Sequence, residues 1–146
     1  MEKIVEQISD WIAEEIDGLK EPVGWAGGIL TLRVVRPKIV DWQVSDFKHG
    51  DVIIEFGNRE PYDITTSSRL WLGEWKLYGI ITTVPDNKNA DDLLDLMSEL
   101  IQSKLLSGNR HGRACGGLAL NISCPDISYG SMAGGVVTEM TVNVRF

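Results

Sequence analysis

Residues 70–106 constrain this chain more than any other stretch, because they read as one strand, one polar turn and one helix. Leu70 to Val84 is dense in aromatic and β-branched residues, the types that fit a pleated surface. Trp71, Trp75, Leu77 and Ile81 share one parity and therefore one face. The other parity carries Glu74, Lys76 and Thr82, but also Leu72, Tyr78 and Ile80. One face is thus mostly core, and the opposite face is covered in part. Pro85 ends the strand, since it has no N–H for the ladder. Residues 86–89 form the turn. Asn89 is placed as the helix N-cap, and Asp91 and Asp92 fall in the first turn, where acidic groups suit the helix dipole. Leu93, Leu94, Leu96, Met97, Leu100, Ile101 and Leu105 then recur at intervals of three and four, the amphipathic signature. Gly108 is the natural stop.

The remaining elements follow from the same periodicities. Residues 2–17 make a first helix, with Ile4, Val5, Ile8, Trp11, Ile12 and Ile16 on one stripe and Glu2, Glu6, Asp10, Glu14 and Asp17 facing away. That outer face is acidic, whereas a membrane-surface helix carries Lys and Arg there, so the stripe faces a core. Residues 18–28 read as a loop around Pro22, Gly24, Gly27 and Gly28. Trp25 within it is either a plug for the core edge, the more ordinary role, or a contact for a neighbouring subunit. Ile29 to Arg36 is a strand stopped by Pro37, with Ile39, Val40 and Trp42 as its extension past a bend.

Asp51 to Gly57 is a second strand with Val52, Ile54 and Phe56 on one face. Residues 57–69 read as a long polar connection, in which Tyr62, Ile64 and Thr65 hint at an extended arm or projecting hairpin. A basic, Gly-rich loop spans 107–117. Leu118 to Ser123 is a strand, 125–135 a Gly- and Ser-containing loop, and Val136 to Phe146 a cleanly alternating strand. The sequence therefore predicts one domain over 1–146. Its class is α+β, mainly antiparallel sheet with two amphipathic helices on one face, in the order α-β-β-β-α-β-β.

Bulk properties exclude several classes. The net charge of −7 disfavours diffuse nucleic-acid binding, which wants a basic body, and is the ordinary condition of a soluble protein. No segment approaches the ~20 apolar residues of a membrane span. The start, Met1-Glu2-Lys3-Ile4-Val5-Glu6, is acidic where a signal peptide is basic, which predicts a product that stays in the cytoplasm. Cys115 and Cys124 are too few for a disulfide framework and are expected as free thiols.

Three constellations bear on chemistry. His111, Cys115 and Cys124 lack the close paired spacing of a structural zinc site, so no metal is expected. Cys115 with His111 is the sharpest enzyme reading, with Gly116 and Gly117 as oxyanion donors, but a four-residue separation in a Gly-rich loop is not a nucleophile signature. Asp86, Asp91, Asp92, Asp95 and Glu99 read as the solvated face of a helix. No phosphate-binding glycine motif is present, and no catalytic residue or cofactor is expected.

The layout does carry a resemblance. A short acidic amphipathic helix, a meander ending in EWKLYGIITTVPDNKNADDLLDLMSELIQSKL, a further strand and a terminal VTEMTVNVRF together resemble the tail-terminator (tail-completion) proteins of long-tailed bacteriophages and prophages. The likeness spans nearly the whole chain and rests on element order and length. It implies a non-enzymatic virion protein, assembled in the host cytoplasm, whose hexameric ring caps the tail tube. Such a ring stops tube growth and presents a surface to the head connector, so the implied partners are further copies, a tail-tube protein and a connector protein. The long loop at 57–69 and the Gly-rich loops depart from that pattern and leave open another neck or connector role.

Rings need two different patches per subunit. Trp25, Trp42, Tyr62 and Ile64 are the candidate contacts, and Arg110 and Arg113 are candidates for a lumen that passes DNA without reading its sequence. A thiol enzyme and a monomeric protein-binding adaptor stand as alternatives.

Overall fold

The computed structural model describes residues 3–23, 28–36, 47–64, 69–82, 87–107, 109, 113–132 and 135–146, with the backbone alone at 62–64, 69, 87, 88 and 132. The chain is α+β, with two helices against one large, mostly antiparallel sheet. Helix α1 (Lys3–Ile16) is followed by β1 (Lys20–Val23), β2 (Gly28–Thr31), β3 (Arg33–Val35), β4 (Asp51–Ile64) and β5 (Arg69–Ile81). Helix α2 (Asn87–Leu106), a single 3-10 turn at Cys115–Gly117, β6 (Asn121–Met132) and β7 (Gly135–Arg145) complete it. The large sheet has the order β3-β4-β5-β7-β6, with β3 parallel to β4 and every other pair antiparallel.

Both helices lie on one face, as the two apolar stripes require. Val5, Ile8, Ile12 and Ile16 of α1 and Leu93, Leu94, Met97, Ile101 and Leu105 of α2 join Trp75, Leu77 and Ile81 of β5 in one buried cluster. The even residues of β7, Met140, Val142 and Val144, enter the same core. Trp75 pins the sheet to α1. Its indole N–H donates to Ser9 Oγ at 2.9 Å, and its ring meets Phe56 and Phe146 at centroid distances of 4.9 and 6.2 Å. The closest helix–sheet approach is at Gly79, where a Cβ would fall 2.3 Å from Met97 Sδ. Beside it Ser98 and Thr138 satisfy each other at 2.8 Å inside the core. The opposite sheet face has a smaller cluster of Ile53, Ile80 and Val137, with Phe47 and Tyr78 packed against it, which accounts for Tyr78 and Ile80 on the second parity of β5.

Several expected boundaries are corrected. Residues 18–28 are not all loop: β1 pairs with β2 as a separate two-stranded hairpin. The expected strand 29–36 is two strands, because the chain changes partner at Leu32. Leu32 N–H bonds Leu19, whereas Arg33 N–H bonds Gly50 and hands the backbone to the large sheet. Gly50 is needed there, with φ at +90° and a Cβ position only 2.2 Å from Thr31 O.

The connection 57–69 is mostly strand, since β4 runs to Ile64 and pairs through bulges with Arg69–Trp75. The strand expected at 118–123 begins at Asn121 and runs through the expected loop 125–135 to Met132, with Pro125 absorbed in a bulge. Residues 114–120 form a tight turn, bridged Ala114 to Ala119, so Leu118 and Leu120 are not aligned with Ile122 in a strand. Helix α2 starts at Asn87, so Asn89 lies inside it and is not its cap, and no acidic residue occupies its first turn.

Candidate assembly surfaces

A ring subunit or adaptor acts through its surface, so the relevant geometry is where the sheet ends. Strand β5 meets β7 as far as Leu72–Arg145, and Trp71 and Phe146 exchange two further backbone bonds of 2.8 and 2.9 Å. The β4–β5 hairpin continues beyond that point. Pro61 lies opposite Trp71, and Asp63–Leu70 and Ile64–Arg69 pair past it, with Tyr62 at the register shift. The hairpin, here called the arm, therefore continues two β5 residues, roughly 7 Å at ~3.3 Å per residue, past the Trp71–Phe146 pair. At its base the Arg59 guanidinium sits 4.3 Å over the Trp71 ring. Tyr62 and Ile64 are thus both on the arm, while Trp25, Trp42, Arg110 and His111 lie outside the described residues. Arg113 is exposed at the start of the 114–120 turn. Leu120 N–H of that turn bonds Arg145 O, which puts the turn at the same end of the sheet as the arm base.

The two sheet edges differ. At β3 the Val34 N–H, turned away from β4, donates to the Asp17 carboxylate at 2.9 Å. Arg33 makes a two-pronged contact to buried Asp51, with both bonds 3.1 Å, and the Lys48 backbone N–H donates to the same carboxylate at 2.9 Å. Hydrogen bonding to Asp51 holds the Arg33 guanidinium still more firmly protonated. Next to this corner His49 is half-buried, Thr82 N–H donates to its Nδ1 at 3.3 Å, and burial lowers its pKa.

The β6 edge is longer and bears exposed apolar side chains, Ile127 at 37% and Tyr129 at 45%. Tyr129 reaches α2 by a hydrogen bond from its hydroxyl to Asp95. None of the Asp17, Asp51 or β6 features stands out in the sequence as a site. Only the alternation of Ile127 and Tyr129 could have exposed β6, and the Pro and Gly residues around it concealed that alternation.

Cys115 is buried at φ +54° and its thiol is pushed up to about 12 by burial; Cys124 is pushed up to about 11 for the same reason. Both cysteines are free. Among the described residues no group of three or more His, Cys, Asp or Glu is placed to hold a metal, and no helix is long and apolar enough to cross a membrane. No protein-family model matches this chain, and no curated protein matches it.

Proposed function

We propose that this chain is a structural subunit, without a catalytic centre, of a closed ring of the tail-terminator kind. Following the resemblance, the ring is hexameric, caps the tail tube of a long-tailed phage or prophage and meets the head connector. The observation that carries this reading is the arm. A strand pair that continues past its β7 neighbour offers a closed ring one of the two patches that a heterologous contact needs. Tyr62 and Ile64 are its anchors, an aromatic and a β-branched residue on a short extended segment. Arg113, at the same end of the sheet, stands as a lumen residue. The thiol-enzyme alternative draws no support from Cys115, because a buried thiol held protonated is a poor nucleophile.

The test is sedimentation velocity with negative-stain imaging of the wild type, of Tyr62→Ala, and of a variant with residues 62–70 replaced by an Asn-Gly turn. The expected result is a closed ring for the wild type and a folded monomer for the shortened variant, with circular dichroism unchanged. A shortened variant that sediments as the same ring removes the arm from the interface. A wild type that stays monomeric when mixed with neighbouring tail proteins removes the ring itself.

A further inference from the structure

The β6 edge carries an inference that does not depend on the ring. Because Trp71 and Phe146 exchange both backbone bonds, the even residues of β7 direct their polar groups toward β5 and the odd residues toward β6. The β6–β7 register then places Asp126, Ser128 and Gly130 in bonded pairs with β7. The N–H and C=O groups of Ile127, Tyr129 and Ser131 face outward, and none has a backbone partner among the described residues. The start of the strand is closed differently: Asn121 and Asn109 side chains take the outward N–H and C=O of Ile122, and Pro125 sits in the bulge. An open ladder of seven residues, 126–132, remains.

Its surroundings define what fits. Ile127 and Tyr129 pair with Met140 and Thr138, so they lie on the helix side of the sheet, and both are exposed. Asp91, Asp95 and Glu99 recur every four residues along α2 and are all exposed. Asp95 accepts from the Tyr129 hydroxyl, and both Asp95 and Glu99 act electrostatically on it, so this acidic stripe flanks the edge. Strand β6 itself contains no Lys or Arg, although edge strands are usually guarded by such charges.

We propose that the β6 edge receives an extended strand from a basic partner protein, paired antiparallel along 126–132. Residues of that strand opposite Ile127, Tyr129 and Ser131 share their side of the sheet. Lysine or arginine there lays its aliphatic stem over Ile127 and Tyr129 and its charge against Asp95 and its neighbours on the stripe. A second copy is a poor occupant. Two-fold pairing of β6 with β6 would set one acidic stripe beside the other in a chain already at −7.

The probe is a blocked seven-residue peptide alternating lysine with valine, followed by fluorescence anisotropy against the full chain at low salt. Lysine amides point at β6 in the proposed register and valine amides point away. Methylating the lysine amide nitrogens should therefore weaken binding at least tenfold, whereas methylating the valine amides should change it less than twofold. Asp95→Asn with Glu99→Gln should weaken it severalfold and flatten its salt dependence. Ser131→Pro, which removes an outward N–H and no β7 bond, should weaken it with an unchanged circular dichroism spectrum. Equal binding of both methylated peptides means charge attraction alone and overturns the proposal, as does equal binding of a glutamate–valine peptide. A wild-type dimer that Ser131→Pro dissolves would make a second copy the occupant and would overturn it too.

Discussion

The two edges of the large sheet solve the same problem in opposite ways. An edge strand exposes unpaired backbone groups, and folded proteins normally blunt it. Strand β3 is three residues long, its outward Val34 N–H is taken by Asp17, and Arg33 is tied to Asp51 beneath it. Strand β6 is twelve residues long, and between Ser123 and Met132 its bulge is the main obstacle to another strand. Side-chain carboxylates have closed one edge, while those near the other lie beside it and leave its backbone open. The same residue type therefore blocks pairing at β3 and selects for charge at β6. What decides between these roles is whether a carboxylate reaches an outward N–H.

The largest expected effect tests the premise that both edges belong to one rigid sheet. Leu94 is fully buried between α2 and the sheet. Leu94→Ala should cost roughly 2–5 kcal/mol in urea unfolding, the range for truncating a buried leucine. A loss under about 0.5 kcal/mol, typical of surface positions, would mean that α2 does not hold the two halves together.

The closed edge should respond next. Asp51→Ala removes the acceptor of the partly buried Lys48 N–H, and a stranded donor of that kind costs about 1–3 kcal/mol. The Arg33 guanidinium is solvated and adds little to that cost. Asp51→Asn should recover part of the loss, since its amide oxygen can still accept. If Asp51→Ala unfolds at the wild-type urea concentration, the corner is held by backbone pairing alone.

How far the sequence reveals this architecture depends on the kind of signal. Helix faces were legible because burial of Val5, Ile8, Ile12 and Ile16, or of Leu94, Met97 and Ile101, imposes a local period. The last strand was legible for the same reason, with Met140, Val142 and Val144 all buried. Leu32 was not, because a strand that changes partners keeps its alternation while its hydrogen bonds switch. Residues 58–61 and 126–131 give little strand signal because their side chains are mostly exposed and need no apolar alternation, and Pro61 and Pro125 are tolerated at an edge or bulge. The base of the arm and the β6 edge are both strand of this kind. In the sequence the arm shows only as a hint in Tyr62 and Ile64, and the β6 edge carries no recognisable signal.

A pH titration sharpens the comparison further, since His49 stands at the closed corner and no histidine belongs to β6. Its folded pKa is lowered, so the unfolded chain binds the proton more readily. The stabilisation is fully present above the ordinary value of 6.5 and is lost as pH falls from there through the folded pKa. Geometry agrees in sign, because Nδ1 accepts from Thr82 N–H and a protonated ring cannot. The melting temperature should decline below about pH 6.5, and His49→Gln should remove that part of the decline. An identical pH profile in the variant would assign the decline to other groups.

The smallest expected change in stability, and the most direct contrast, comes from exchanging protection between the edges. Ile127→Lys puts a charge on the open edge at a position already 37% exposed, so its effect on unfolding should stay within about 0.5 kcal/mol. It should nevertheless reduce aggregation on heating, because a lysine on an edge opposes addition of another strand. Asp17→Ala does the reverse at β3, freeing an exposed Val34 N–H that water can satisfy. It should change stability little and should not promote aggregation, because three residues are too short a template for a stable ladder. Light scattering during a thermal ramp measures both variants against the wild type. Aggregation that rises in Asp17→Ala and is untouched in Ile127→Lys would reverse the assignment, making β3 the reactive edge and β6 the quiet one. The result expected from the register is the opposite, because β6 has outward backbone groups repeated along a strand long enough to use them and three-residue β3 does not.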